Sequence, residues 1–142
     1  MTIIKNRSVQ PDPWIHLGNR DADLPDRSVT ISLERLLENR PAWLGRSAPL
    51  GLRLSNDADI DAIAASLGRL GLVTIDFPKF TDGRGYTLAQ LLRRAGYTGE
   101  LRATGDVLQD QLAFMERCGF DAYELKAGKD LNRALEAFDE LG

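Results

Sequence analysis

From Leu50 onward, apolar and polar positions alternate in blocks that switch between the two-residue period of a strand and the 3.6-residue period of a helix. Leu50–Leu54 reads as a short strand, and Asp57 as the cap of a helix carrying Ile60, Ile63, Ala64, Leu67 and Leu70 on one face. Gly71 ends that helix, and Leu72–Phe77 is a β-rich run. After a glycine-containing loop, Thr87 opens a helix with Leu88, Leu91, Leu92 and Ala95 in register, with Gly96 and Gly99 at its exit. Leu101–Thr104 is the next strand, and Asp106 starts a helix with Leu108, Leu112, Met115 and Cys118 on its apolar face, closed by Gly119. Phe120–Leu125 and a helix lined by Leu131, Ala134, Leu135, Phe138 and Leu141 complete the pattern. A β-α unit repeated in this way predicts a parallel sheet with right-handed crossovers.

Residues 1–49 have a different texture. Short apolar segments (Thr2–Ile4, Trp14–Leu17, Val29–Ile31) are broken by Pro11, Pro13, Gly18, Pro25 and Pro41, which predicts short strands and loops. Ser32 has the place of an N-cap for a helix over Leu33–Leu37 that stops at Arg40-Pro41. The expected fold is therefore one α/β domain over 1–142: an irregular N-terminal part, 1–49, with short strands and one helix, and four β-α units over 50–142. A sheet resembling half of a (β/α)8 barrel and an open Rossmann-like sheet both fit, since strand order is not written in one sequence. Open edge strands on a half barrel would favour a homodimer.

Composition narrows the classes. The 142 residues include 43% hydrophobic and 27% charged positions, ordinary for a folded soluble domain. A net charge of -3 disfavours a nucleic-acid or anionic-membrane binder. No apolar run approaches the roughly 20 residues of a membrane span, and the polar start, Met1–Arg7, lacks a secretory apolar stretch, so the expected location is cytoplasmic. Cys118 is the single cysteine and His16 the single histidine. An intrachain disulfide, a Cys/His zinc site and a two-histidine metal site are excluded within one chain, and no metal or cofactor site is expected. Cys118 reads as core and His16 as local structure, while Trp14 and Trp43 read as apolar anchors. Against the acidic total, the stretch from Lys79 to Arg102 carries a local excess of +3.

Candidate chemistry follows from the rule that parallel α/β proteins place reactive groups beyond the carboxyl ends of their strands. Asp76, Asp82 and Asp106 are the candidate proton-transfer carboxylates. Lys79, Thr81, Arg84, Tyr86, Arg102 and Thr104 are the candidate ligand contacts, with a small anion as the ligand the cations suit. Each has a plainer reading beside it. Asp82-Gly83 is a common turn pair, and Thr87–Gln90 and Asp106–Gln109 have capping-box spacing. Asp76, at the end of an apolar strand, is expected to be partly buried against Lys79, Arg84 or Arg102. Gly83-Arg84-Gly85 fits neither a P-loop nor a dinucleotide fingerprint.

The run Asp76–Tyr86, continued by Gly99–Val107, Asp110-Gln111 and Arg117–Ala122, strongly resembles the bacterial DUF934 family, and Trp14–Leu17 and Val29–Arg35 extend the resemblance over nearly the whole chain. The resemblance implies a place in assimilatory sulfate reduction, as an oxidoreductase or an accessory protein encoded beside sulfite reductase. It carries no cofactor and no catalytic residue. One cysteine cannot hold a four-cysteine iron–sulfur cluster, which counts against a self-contained redox enzyme. Two expectations follow: an accessory protein that binds sulfite reductase, its electron donor or a sulfur oxyanion, or a small α/β enzyme acting on a phosphorylated or carboxylated metabolite.

Overall fold

A computed structural model describes residues 1–126 and 128–140. Eight strands form one sheet: β1 (Thr2–Lys5), β2 (Ser8–Pro11), β3 (Ile15–His16), β4 (Val29–Ser32), β5 (Leu50–Leu54), β6 (Leu70–Phe77), β7 (Glu100–Gly105) and β8 (Ala122–Tyr123). Their order is β2-β1-β8-β7-β6-β5-β4-β3. β3 through β8 are parallel and neighbours in sequence are neighbours in space, whereas β1 runs antiparallel to both β8 and β2. This singly wound order is that of a half (β/α)8 barrel and excludes the Rossmann-like alternative, whose strand order reverses at a switch point.

The sheet is strongly curled, as the chain requires. β2 and β3 lie at opposite edges, yet only Asp12, Pro13 and Trp14 separate them. Laid flat, the outer strands would stand roughly 34 Å apart. The connection from Pro11 to Ile15 reaches at most about 14 Å. Asp12 N still donates to Met1 O at one edge, and Ile15 N already donates to Ser28 O at the other.

Alternation along the strands divides the sheet into two faces. One bears Ile4, Val29, Ile31, Leu52, Val73, Ile75, Leu101, Ala103 and Tyr123, which form the apolar core with Leu36, Leu88, Leu92, Leu112 and Met115 of the helices. Those helices are α1 (Leu33–Glu38), α2 (Arg40–Leu44), α3 (Arg84–Arg94), α4 (Leu112–Cys118), α5 (Leu131–Ala134) and α6 (Ala137–Glu140). The other face lines the inside of the curl and carries Thr30, Arg53, Thr74, Glu100 and Arg102, aligned by the register Arg53–Thr74–Arg102. Gly51 belongs to this inner face. A Cβ there would lie 2.8 Å from Thr30 Cγ2 and 3.1 Å from Leu72 Cβ, so a side chain at that point requires its neighbours on β4 and β6 to shift.

Local expectations are met in part. Ser32 caps α1 by accepting from Arg35 N, and Gly119 ends α4 in the left-handed region. The segment assigned to a helix from Asp57 is instead two 3-10 stretches, Ile60–Ala62 and Ala64–Arg69, with Asp59 as the first cap. α3 starts at Arg84 rather than Thr87, whose hydroxyl donates to Gly83 O inside the first turn. Asp106 caps no helix; a 3-10 turn over Gln109–Gln111 precedes α4. β8 is shorter than Phe120–Leu125, and the last helix is divided into α5 and α6, with Leu141 outside the described residues. The sequence pattern lacks β2, which is created by a tight turn with Asn6 and Arg7 both at positive φ.

Candidate functional site

The inner face holds a connected set of charged groups. Arg102, in the middle of β7, has no solvent exposure. Its Nη1 and Nη2 donate to Asp12 Oδ2 and Oδ1 at 2.9 and 3.1 Å, and its Nε and Nη2 donate to Glu100 Oε2 at 3.0 and 2.8 Å. Lys5 Nζ closes on Glu100 Oε1 at 3.0 Å. A guanidinium buried between two carboxylates satisfies its desolvation through several charge-assisted hydrogen bonds. Burial opposes charge on both Arg102 and Asp12, but their mutual bonds prevail: Arg102 is held above and Asp12 below its ordinary value.

From Asp12 the network runs toward the carboxyl mouth of the sheet. His16 Nε2 lies 2.8 Å from Asp12 Oδ2, and His16 Nδ1 lies 2.7 Å from Thr30 Oγ1. Arg53 Nη1 donates to the same Thr30 oxygen at 2.7 Å. One assignment of hydrogens satisfies all these contacts: Arg53 donates to Thr30, Thr30 donates to Nδ1, and Nε2–H donates to the Asp12 carboxylate. Glu124 follows β8 with its side chain 18% exposed; its Oε2 is 4.0 Å from Arg102 Nη1, and among the described residues its carboxyl group makes no hydrogen bond, while its backbone N–H donates to Ala103 O. Burial pushes the Glu124 carboxyl up, only partly offset by Arg102 and His16.

One ligand atom each from Asp12, His16 and Glu124 lies within 4.8 Å of the other two, the arrangement of a small cation site. The contacts already made compete with that use. Both Asp12 oxygens accept from Arg102, one also meets His16, and the Arg102 guanidinium supplies positive charge beside them.

The residues singled out in the sequence are dispersed. Asp82 is clamped by its neighbour Arg84, with Nη2 to Oδ2 at 2.7 Å, and accepts from Asn56 Nδ2 at 2.9 Å; hydrogen bonds from Arg84 hold its carboxyl far below the usual range. Asp106 accepts from Phe80 N at 2.9 Å and pairs with Lys126 at 2.5 Å, which lowers it as well. Asp76 is exposed beside Gly105 and, among the described residues, has none of the expected basic partners. The strand turns it to the inner face where β6 runs out, so it leaves the sheet instead of being enclosed by it. Lys79 and Thr81 are exposed. The Tyr86 hydroxyl is 3.3 Å from Phe80 O and its ring packs on Phe77 and Phe114. Thr104 Oγ1 is 3.5 Å from Ile75 O. Lys79, Arg84 and Arg102 thus form no common patch: the first lies in a loop, the second is neutralised by Asp82, and the third is buried among acids. Beside the Asp82 clamp, a cleft of about 640 Å³ is lined by Asn56, Gly83, Arg84, Thr87 and Leu91.

Asp12, His16, Arg53 and Glu124 were not among the sequence candidates. One signal for the site they build was present. Glu100, Arg102 and Thr104 alternate with Leu101 and Ala103, whereas a parallel strand covered by apolar layers on both sides reads as continuously apolar. That alternation marks a polar interior.

Fold and site together define a singly wound, mainly parallel α/β protein with a charged inner face and Arg53 lining a cleft beyond the carboxyl ends of β4 and β5. The family model of DUF934, described as bacterial protein of unknown function, matches residues 51–142, and the chain belongs to that family. A search of curated proteins gives no match.

Proposed function

We propose that the chain is a small α/β enzyme that transfers a proton at the carboxyl mouth of the curled sheet, with Glu124 as the proton-carrying group. The supporting observation is a pair of carboxyl groups, Asp12 and Glu124, gathered with His16 within 4.8 Å and driven in opposite directions by their surroundings. Asp12 is fixed as a carboxylate by Arg102 and His16. The Glu124 carboxyl, without a hydrogen-bonded partner among the described residues, keeps its proton to higher pH and still reaches solvent. Paired carboxyls with separated proton affinities divide structural and acid–base roles in this way. Asp12, His16 and Arg102 are positioning residues in this reading.

The resemblance to DUF934 favours a cellular setting for the enzyme: cytoplasmic assimilatory sulfite reduction, beside sulfite reductase or its electron donor. Its support is the run of shared motifs from Asp76 to Ala122, not the dispersed Lys79, Arg84 and Arg102. Growth of a deletion strain on sulfate and on cysteine tests both parts. Normal growth of the deletion strain on sulfate removes the setting. With a sulfate defect in hand, a folded Glu124→Gln protein that restores growth removes the proton-transfer role.

A further inference from the structure

Arg53 is a cation without an ion pair among the described residues. Of its five N–H groups, both on Nη1 are used, by Thr30 O at 2.8 Å and Thr30 Oγ1 at 2.7 Å, and one on Nη2 is used by Leu17 O. All three acceptors are neutral, and no ion pair among the described residues includes Arg53. The Nε–H and the second Nη2–H have no partner there. Arg7, Arg84 and Arg102 show what this edge of a guanidinium does elsewhere in the same protein: each turns Nε and Nη2 onto a carboxylate, of Glu116, Asp82 and Glu100 respectively. Arg53 spends the remainder of its fork on backbone and leaves that edge unfilled.

The edge is accessible. Among the described residues the sealed side-chain nitrogen without a partner is Arg46 Nε, not Arg53 Nε. Arg53 lines a cleft of about 290 Å³ with Ser32, Leu33, Ser55 and the exposed Glu34. The neighbouring Arg35 is also held by backbone carbonyls, of Gly18 and Asp21, and by stacking on Trp43. Burial first, and then the like charge of Arg35, make Arg53 easier to deprotonate than usual, with Asp21 opposing; Glu34 stands on the rim of the same cleft without an ion pair to Arg53.

We propose that Arg53 binds an oxyanion of the substrate, a carboxylate or a tetrahedral phosphate or sulfate, on its Nε–Nη2 edge. This rests on the reading of Glu124 as the proton carrier and adds the class of molecule it serves. Thr30 Oγ1 is shared between Arg53 and His16, so one hydroxyl joins the anion-holding group to the Asp12–His16 unit beside Glu124. A planar, bidentate match is the reason an arginine outperforms a lysine in such a place.

The test is a titration of the full chain with acetate, inorganic phosphate and sulfate, following the 15N–1H signal of Arg53 Nε. Saturable movement of that signal with at least one probe, and binding weakened about tenfold or more in Arg53→Lys and abolished in Arg53→Gln, support the site. Absence of movement with all three probes in the wild-type protein overturns it without depending on how the variants fold. Unchanged binding by a folded Arg53→Gln protein overturns it equally. Glu124→Gln separates the two claims, since it is expected to retain the anion and lose proton transfer. Anion binding together with growth on sulfate fully restored by Glu124→Gln removes the proton-carrier reading alone; no anion binding together with growth lost in Glu124→Gln removes the Arg53 site alone.

Discussion

The Asp12 carboxylate takes both Nη groups of Arg102, at 2.9 and 3.1 Å, across 90 positions of sequence. Asp12 sits in the three-residue connection between the two edges of the sheet, and Arg102 sits in an interior strand. The contact therefore ties the seam of the curl to its middle. Because Arg102 is wholly buried, its loss leaves Asp12 and Glu100 as enclosed carboxylates without their main partner.

Arg102→Leu is accordingly expected to lower stability by about 3–5 kcal/mol, read from urea denaturation. Lys5→Ala removes only the partly exposed arm of the same network and is expected to cost about 1 kcal/mol or less. Equal effects of the two would remove the distinction between buried and peripheral charge.

The two carboxyls at the mouth respond to pH with opposite signs. Asp12 is lowered on folding, so the stability it contributes is present above the ordinary aspartate value and is lost as pH falls through its folded value. Glu124 is raised, so its favourable contribution belongs to low pH and disappears as pH rises through its folded value. Glu124→Gln should therefore melt at a higher temperature than the wild type at neutral pH, with the gap closing on acidification. A functional carboxyl that costs stability where it is ionised is a familiar trade. Melting curves of the two proteins across pH check it; a gap that grows on acidification contradicts the raised value.

At Gly51 a methyl group meets Thr30 Cγ2, Leu72 Cβ and Leu72 O on the inner face. Gly51→Ala is expected to destabilise by about 1–3 kcal/mol through overpacking. Denaturant unfolding gives the value, and a neutral substitution would mean that β4, β5 and β6 can spread apart at that point.

Cys118 is 5% exposed on α4, and burial pushes its thiol up. Thiol reagents are expected to label it slowly in the folded protein and promptly in denaturant. Rapid labelling of the native chain would place it in an accessible, reactive setting instead.

Much of the fold is legible in the sequence because the period of apolar residues reports directly which side of an element meets the core. Leu50–Leu54 emerges with those bounds, and Leu88, Leu92, Leu112, Met115 and Cys118 are buried as their spacing predicts. Errors gather where local and tertiary preferences differ. The apolar face of Ile60, Ile63 and Leu67 is compatible with a regular helix, but the chain between β5 and β6 folds as 3-10 turns. Thr87 and Asp106 have capping-box neighbours, yet each oxygen finds a nearer use, with Gly83 O for the first and with Phe80 N and Lys126 for the second.

The sequence by itself determined a mainly parallel α/β domain, the placing of Cys118 in the core and the family to which the chain belongs. Those properties depend on short-range periodicity or on runs of neighbouring residues. Tertiary structure alone decided the order of the strands, the curl and the site. Asp12 and His16 share one short segment, Arg53, Arg102 and Glu124 come from three others, and none stands in a motif that names the others. They meet because the sheet bends far enough for three residues to join its edges, and because charges enclosed by that bend must find opposite charges inside it.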